Sequence, residues 1–494
     1  MSDGLAHSAA RGALFTMGAQ AARIVLQLLS VVVLARLLSP HDYGLLTIAL
    51  VAVGVGEIFR DFGLTSASVQ APTLSAGQRD NLFWINSALG VLLAALTFAA
   101  AWPIAALTGK PELQGIVQAL SVVFVINGCA TQYRAQLMRA LRFKALALTD
   151  ISSAALALAT AVVVALLGAS YWALVVQQII VALVLLVGYA AAGRWLPRFY
   201  SRRHAVRSMI ALGWNLVGSN LLSYAASQVD TVLVAARFGA APVGVYNRAY
   251  QLIMTPLAQV RSPLTNVALP VLSRIQQDEA RFNNFIVSGQ LALGYGFGVP
   301  LLLVCAMADP VVQIMLGPQW TQAAPILRFF AVAGVLTTLS FVGYWVYVTR
   351  GLGRELFRYT MVSTAIRVTC IVGGSFFGLI GIAAGYALAP AIAWPVSLFW
   401  LSRVTPVPVR ELYAGAFRVL AVSSAVGVAA AGASAAASLA GSWVAVAAGL
   451  AAGLAVLAIT LLLPTVRRDA RMLQAFVRLM LRRQRPEPGP AAQP

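Results

Sequence analysis

Six arginines lie inside long apolar runs of the sequence, where a charged side chain is costly and usually faces a protein interior or a water-filled cavity. They are Arg23, Arg248, Arg261, Arg328, Arg367 and Arg418. The acids embedded in the same way are fewer: Glu57, Asp150 and Asp230, with Asp61 near a boundary. Internal ion pairs therefore cannot neutralise every embedded guanidinium. Because a guanidinium can bind a phosphate bidentately, the surplus predicts an anionic ligand. Arg418 is an exception, since it lies near the end of its run and can snorkel to the surface.

Polar side chains accompany these arginines at helical spacing. One face of a predicted helix carries Arg248, Gln251, Thr255, Gln259, Ser262 and Asn266, and another carries Gln20, Arg23, Gln27 and Ser30. Such faces cannot lie against lipid tails, so they predict a hydrated interior. The predicted substrate-binding residues are Arg23, Gln27, Arg248, Gln251, Gln259, Arg261, Arg328 and Arg367.

Two embedded acids have either a structural or a functional interpretation. Glu57 lies three residues before Arg60, which favours a local ion pair, although coupling of transport to protons or sodium is the alternative. Asp230 ends a polar helix face and is equally compatible with a partner on a neighbouring helix and with a cavity residue. The three histidines and three cysteines are isolated, so we predict no metal site and no cofactor.

The elements that position these residues are membrane spans. The chain of 494 residues is 60% hydrophobic and only 10% charged, with a mean hydropathy of +0.82, which leaves no room for a sizeable soluble domain. Apolar runs fall at 13–35, 43–60, 82–106, 114–133, 147–168, 171–193, 208–236, 243–272, 284–307, 323–349, 357–378, 380–402, 415–438 and 442–464. The predicted fold class is an all-α polytopic membrane protein with about fourteen transmembrane helices.

The net charge of +20 is interpreted as a topology signal rather than as a nucleic-acid surface. Of the 35 arginines and lysines, six lie inside the spans and only Arg36, Lys110 and Arg237 lie in segments on one side. The remaining 26 lie in the tails and loops of the other side. The rule that positive charge stays inside then predicts that both termini are cytoplasmic.

The two halves of the sequence resemble each other at an offset of about 200 residues. The stretch Ala35-Arg36-Leu37 before Tyr43-Gly44 corresponds to Ala236-Arg237-Phe238 before Gly244-Val245-Tyr246. We therefore predict an N-lobe of helices 1–6 at 1–200, a C-lobe of helices 7–12 at 201–405, and two further helices at 406–465. Residues 466–494 form a cytoplasmic tail, in which 467–483 have the pattern of a basic amphipathic helix at a membrane surface.

Short motifs resemble those of the Wzx-type polysaccharide and oligosaccharide flippases. They are Leu34 to Leu45, Asp61-Phe62-Gly63-Leu64, Arg139 to Lys144, Asp230-Thr231, and Gly244-Val245-Tyr246 with Arg248-Ala249-Tyr250. The resemblance covers about residues 10–465. It implies two six-helix lobes in a V, as in multidrug exporters. It also implies transfer of an undecaprenyl-diphosphate-linked oligosaccharide across the bacterial inner membrane.

The expected partners are this lipid-linked oligosaccharide and membrane lipids, with a polysaccharide polymerase and a chain-length regulator as candidates, and no nucleic acid. A flippase of the peptidoglycan precursor and a multidrug exporter of the same fold stay open as alternatives. An enzyme is disfavoured, because the predicted outer loops are short and no Asp-x-Asp sugar-nucleotide motif is present.

Overall fold

A computed structural model describes residues 2–60, 74–201 and 207–481, with side chains over 18–60, 74–201 and 220–474. Within these ranges the chain is helical and contains no strand. The helices are α1 Ser2–Leu37, α2 Pro40–Arg60, α3 Ala76–Thr108, α4 Glu112–Arg139, α5 Phe143–Leu166, α6 Trp172–Gly193, α7 Arg207–Phe238, α8 Ala240–Ile275, α9 Glu279–Ala306, α10 Ala308–Met315, α11 Ala323–Thr349, α12 Gly353–Gly374, α13 Gly378–Val404, α14 Val409–Ala436, α15 Ser442–Thr460 and α16 Pro464–Leu481.

A long helix occupies each of the fourteen predicted apolar runs, which confirms the predicted fold class. Eleven segments of the described chain are long and apolar enough to cross a membrane. One of them, Gly353–Val404, contains both α12 and α13. The helices α7 and α8 are not among the eleven, although they reach 32 and 36 residues. The polar face of α8 lowers its mean hydropathy, and of α7 only residues 220–238 have described side chains.

The chain divides into two compact units. The first contains residues 1–248 and Met315–Trp320, and the second contains 249–314 and 321–494. In the first unit α3 packs on α4, α5 packs on α6, and α2 contacts α4 and α7. In the second unit α9 packs on α11 and α14, and α13 packs on α11 and α12. The division falls inside α8, whereas the sequence repeat places it at residue 200, so the lobe boundaries stay a prediction.

Two glycines of the first unit bring the starts of α2 and α8 into backbone contact. A Cβ atom on Gly44 would lie 1.7 Å from the carbonyl oxygen of Ala240, and one on Gly244 would lie 1.9 Å from that of Pro40. The four residues form two pairs, each separated by 200 positions, and the contacts are reciprocal. Two helix corners related by a pseudo-two-fold axis produce this arrangement, which supports the internal repeat.

The segment 315–320 packs against the same corner. The side-chain amide of Gln319 donates to the carbonyl oxygens of Ala35 and Leu38, at 2.6 and 3.0 Å. The indole nitrogen of Trp320 also donates to Ala35 O, at 2.8 Å, and the ring is fully buried. These bonds satisfy carbonyls at the end of α1 that have no partner within the helix. The corner is therefore joined by three segments that are distant in sequence.

Candidate functional site

Arg248 is a buried cation that no carboxylate of the described residues neutralises. Its side chain lies on α8 in the first unit and is only 8% exposed. The guanidinium carbon lies 3.7 Å from the centre of the Tyr43 ring, and Nε has no hydrogen-bond partner. Among the residues whose side chains the structure describes, it forms no ion pair. A cation–π contact compensates only part of the cost of removing a guanidinium from water.

The ring beneath Arg248 is held in place by its neighbours. Tyr43 is buried on α2 and meets Trp320 edge to face, with ring centres 5.5 Å apart. The adjacent acid, Asp42, accepts hydrogen bonds from Ser39 and from the hydroxyl of Ser170. The carboxylate of Asp42 therefore accepts hydrogen bonds from these hydroxyl and amide groups. The contact of the Arg248 guanidinium at this place is with the face of the Tyr43 ring.

Arg261 has a similar environment in the second unit. It lies on α8, with its guanidinium carbon 3.9 Å from the centre of the Phe341 ring of α11. Its Nε also lacks a hydrogen-bond partner, and it forms no ion pair with a described residue. A cluster of three aromatic rings on α8, α11 and α13 belongs to the same unit, with ring centres 5.2 to 6.0 Å apart. Its members are Tyr250, Phe330 and Tyr386.

Three other embedded arginines face carboxylates, which corrects the expectation of a general surplus. Arg23 lies 3.6 Å from Asp150, which also accepts from the hydroxyl of Tyr189. Arg328 forms an exposed pair with Asp309. Arg418 forms a pair with Asp469. The count of embedded acids missed Asp309 and Asp469 because these residues lie outside the apolar runs, in the short helix α10 and in the C-terminal tail.

The remaining predicted substrate-binding residues are dispersed. Gln251 and Gln259 are half-buried on α8, Gln27 is half-buried on α1, and Arg367 is half-buried on α12. Arg23 lines a cavity of about 180 Å³ between α1, α4 and α5, together with Gln20, Arg134 and Asp150. The roles of these residues in binding stay predictions.

The two embedded acids have structural partners. Glu57 accepts from Nε of Arg60 at 2.7 Å and from the side-chain amide of Asn127 at 3.3 Å. Asp230 is 4% exposed and accepts from the hydroxyl of Tyr246 on α8 at 3.0 Å. These contacts favour the local pair for Glu57 and the neighbouring-helix partner for Asp230.

Sequence reasoning did not identify the aromatic partners of the arginines. Tyr43 precedes a glycine that the repeat had singled out, so its place at the corner left a signal in the sequence. Phe341 is one of 21 phenylalanines in an apolar chain, and nothing in its sequence neighbourhood marks it.

Comparisons with known proteins agree with the fold and with the motifs. The family described as "Polysaccharide biosynthesis protein" matches residues 33–325. The lipopolysaccharide biosynthesis protein WzxC of Escherichia coli (strain K12) is 26% identical over 383 residues, which cover 76% of this chain and 77% of that protein. The succinoglycan biosynthesis transport protein ExoT of Rhizobium meliloti (strain 1021) is 27% identical over 355 residues, which cover 72% of each.

A solved structure shows the same fold. The lipid II flippase MurJ in an inward closed conformation superposes with a TM-score of 0.66 at 15% identity, covering 91% of this chain and 98% of that one. At this identity the likeness concerns the fold alone. The family match covers more than half of the 494 residues. The chain therefore belongs to the polysaccharide biosynthesis protein family, and its many long apolar helices make it a multi-pass membrane protein.

Proposed function

We propose that the protein translocates an undecaprenyl-diphosphate-linked oligosaccharide from the cytoplasmic to the periplasmic leaflet of the bacterial inner membrane. The product would serve lipopolysaccharide, capsule or exopolysaccharide synthesis. The names of the relatives refer to polymers of this kind. The observation that carries the proposal is Arg248, a buried guanidinium that meets an aromatic ring and no carboxylate among the described residues.

A diphosphate supplies the charge that Arg248 lacks. Its oxygens can accept two parallel hydrogen bonds from the planar guanidinium. The polar face of α8 that contains Arg248 also carries Gln251 and Gln259, whose amides match the hydroxyl groups of a glycan. The polyprenyl chain is apolar and stays among the lipid tails of the bilayer, so it does not contact the polar face of α8.

Access to Arg248 requires a change of conformation, because the side chain is 8% exposed in this state. Separation of the starts of α2 and α8 would expose the guanidinium, and a phosphate bound there would favour that separated state. We propose alternating access of two lobes around an arginine-lined cavity. In this mechanism Arg248 binds the diphosphate in the conformation in which the starts of α2 and α8 have separated. Arg23 lies in a separate cavity between α1, α4 and α5, and is proposed to bind the diphosphate at another stage.

The experiment is polymer export in a host that lacks its own copy of this protein. Arg248→Ala removes the charge, and Arg248→Lys keeps the charge but removes the planar fork. We expect export to fall at least about tenfold in the alanine variant, as for the loss of one charge-assisted hydrogen bond, and to recover only in part in the lysine variant. The control is Arg281→Ala, which removes an exposed pair with Asp278.

Normal export by Arg248→Ala at normal protein abundance would refute the role of this residue. The same host distinguishes the alternatives. Rescue of cells that lack their peptidoglycan-precursor flippase would favour that substrate, and resistance to cationic drugs without polymer export would favour a multidrug exporter. A polysaccharide polymerase and a chain-length regulator are the proposed partners, because the flipped oligosaccharide must be consumed on the outer side.

The orientation is part of the proposal. With both termini cytoplasmic, the side with Arg36, Lys110 and Arg237 faces the periplasm. A reporter enzyme active only in the periplasm should be inactive when fused after residue 494 and active when inserted at Lys110. The reverse pattern would overturn the orientation.

A further inference from the structure

The C-terminal helix α16 is fixed to the second unit by a buried carboxylate. Asp469 is 1% exposed and faces Arg418 of α14, with Nε–Oδ2 and Nη2–Oδ1 distances of 3.0 and 2.9 Å. The hydroxyl of Tyr295, on α9, also donates to Oδ2 at 3.0 Å. Three charge-assisted hydrogen bonds converge on one side chain of an otherwise basic, amphipathic helix. The first turns of α16 are therefore docked at a defined place.

Two cavities adjoin this docking point. An apolar cavity of about 330 Å³ lies between α9, α15 and α16, and a polar cavity of about 450 Å³ lies between α9, α14 and α16. The apolar cavity is lined by Tyr295, Val299, Pro300, Leu457, Leu461 and Leu473, among others. Tyr295 lines the apolar cavity and Asp469 lines the polar one, so the two cavities are neighbours across this hydrogen bond.

The charges that line the polar cavity balance. Arg418 and Asp469 neutralise each other, which leaves Arg468 of α16 and Glu411 of α14 as one cation and one anion. Both are exposed, and neither forms an ion pair with a described residue. Asn283 and Asn284 add amide groups to the same wall, and the buried Oδ1 atom of Asn283 has no hydrogen-bond partner. A ligand with an anionic phosphate at one end and an N–H donor group at the other would match this set of side chains.

We propose that these two cavities bind one phospholipid with a zwitterionic, primary-amine head group. The phosphate meets Arg468, the ammonium meets Glu411, and one acyl chain enters the apolar cavity beside Tyr295. An acidic lipid such as phosphatidylglycerol would satisfy Arg468 with its phosphate but has no ammonium group to neutralise Glu411. A choline head group has no N–H to donate to Glu411 or to Asn283.

The site has a consequence for the tail. A basic amphipathic helix alone binds a membrane through apolar area and attraction to anionic lipids, without a defined partner. The bound aminophospholipid would tie α16 to α9 and α14 at a single position, so α16 becomes part of a lipid-binding site of the transporter. This inference does not depend on which glycan is transported.

The experiment is native mass spectrometry of the full-length protein in micelles. The micelles contain phosphatidylethanolamine, phosphatidylglycerol or phosphatidylcholine with identical acyl chains. We expect one phosphatidylethanolamine to be retained at least about tenfold more tightly than either other lipid, the factor for one charge-assisted hydrogen bond. Glu411→Gln should remove the preference over phosphatidylglycerol, and Arg468→Ala should weaken retention of all three lipids, since each carries a phosphate.

Two further variants separate the site from a general effect on the tail. Arg471→Ala removes an exposed charge from the same helix that lines neither cavity, and should change nothing. Ala470→Phe fills the apolar cavity and should abolish retention while the thermal stability in lipid-free detergent is unchanged. Equal retention of the three lipids, tighter retention of phosphatidylglycerol, or equal loss in Arg468→Ala and Arg471→Ala would each overturn the proposal.

Discussion

The backbone contacts of Gly44 with Ala240 and of Gly244 with Pro40 predict that a larger residue at position 44 destabilises the protein. Replacement of Gly44 by alanine adds one methyl group in a helical conformation that alanine adopts freely. That methyl would lie 1.7 Å from the carbonyl oxygen of Ala240 and 2.9 Å from its Cα atom. Contact distances below 3.0 Å essentially never occur for real Cβ atoms. Because the obstacle is backbone, no side-chain rotation can relieve the clash.

The loss of stability in Gly44→Ala follows from the distance by which the two helices must separate. The starts of α2 and α8 must separate by more than about 1 Å, which also disturbs the contact of Gly244 with Pro40. Overpacking costs about 1–3 kcal/mol in well-packed sites, and the rigid backbone on both sides places Gly44→Ala near 3 kcal/mol. Gly244→Ala should cost a similar amount. Since both act on one contact, the double variant should lose less than the two single losses combined.

The assay is thermal unfolding of the purified protein in detergent, with Gly432→Ala as the matched control. Gly432 also lies inside a helix, but a Cβ there would meet nothing within 4 Å. Alanine at that position should leave the free energy of unfolding unchanged or raise it by up to about 1 kcal/mol. If Gly44→Ala and Gly432→Ala unfold at the same temperature, the backbone crossing of α2 and α8 is wrong.

Three further substitutions test single contacts by the same unfolding measurement. Arg418→Ala leaves the buried carboxylate of Asp469 without its cation and should cost about 3 kcal/mol, and a change within the error of measurement would show that α16 is not docked through this pair. Tyr43→Phe keeps the ring beneath Arg248 and removes a buried hydroxyl that has no hydrogen-bond partner, so the protein should be equally stable or more stable by up to about 1 kcal/mol. A clear loss of stability would reveal an unrecognised partner of that hydroxyl. Arg328→Ala should change the free energy by at most about 1 kcal/mol, because its pair with Asp309 is exposed, and a larger loss would contradict that exposure.

The sequence predicts the helices well because each apolar run must be hydrogen-bonded internally to cross a membrane. Only the ends differ. The run at 243–272 became a helix from Ala240 to Ile275, and the run at 13–35 became one from Ser2 to Leu37. In these two cases helical hydrogen bonding continues past the point where apolar residues stop. The run at 442–464 instead became a shorter helix, Ser442–Thr460, so hydropathy locates a helix without fixing its ends.

The counter-charges could not be predicted in the same way. Asp309 lies outside the predicted spans, in the short helix α10, so the sequence gives no indication that it meets Arg328. The same holds for Asp469, which lies 51 residues beyond Arg418 in a segment that looked like a surface helix. Tertiary contacts between a span and a segment outside it decide which embedded arginine stays without a partner, and composition alone cannot.

Ideal helical spacing places Arg248 and Arg261, which form no ion pair with a described residue, on different faces of the α8 sequence. Arg261 follows Arg248 by thirteen residues, which is about 20 Å along a straight helix and about 140° around it. Gln251 and Gln259 share the face of Arg248, whereas Arg261 points away from that face and packs on Phe341. The face that contains Arg248 is the one where charge and amide groups coincide, and it is the better candidate for the head group of a lipid-linked oligosaccharide. A role for Arg261 in transport requires contact with a different part of the substrate or with a different state of the protein.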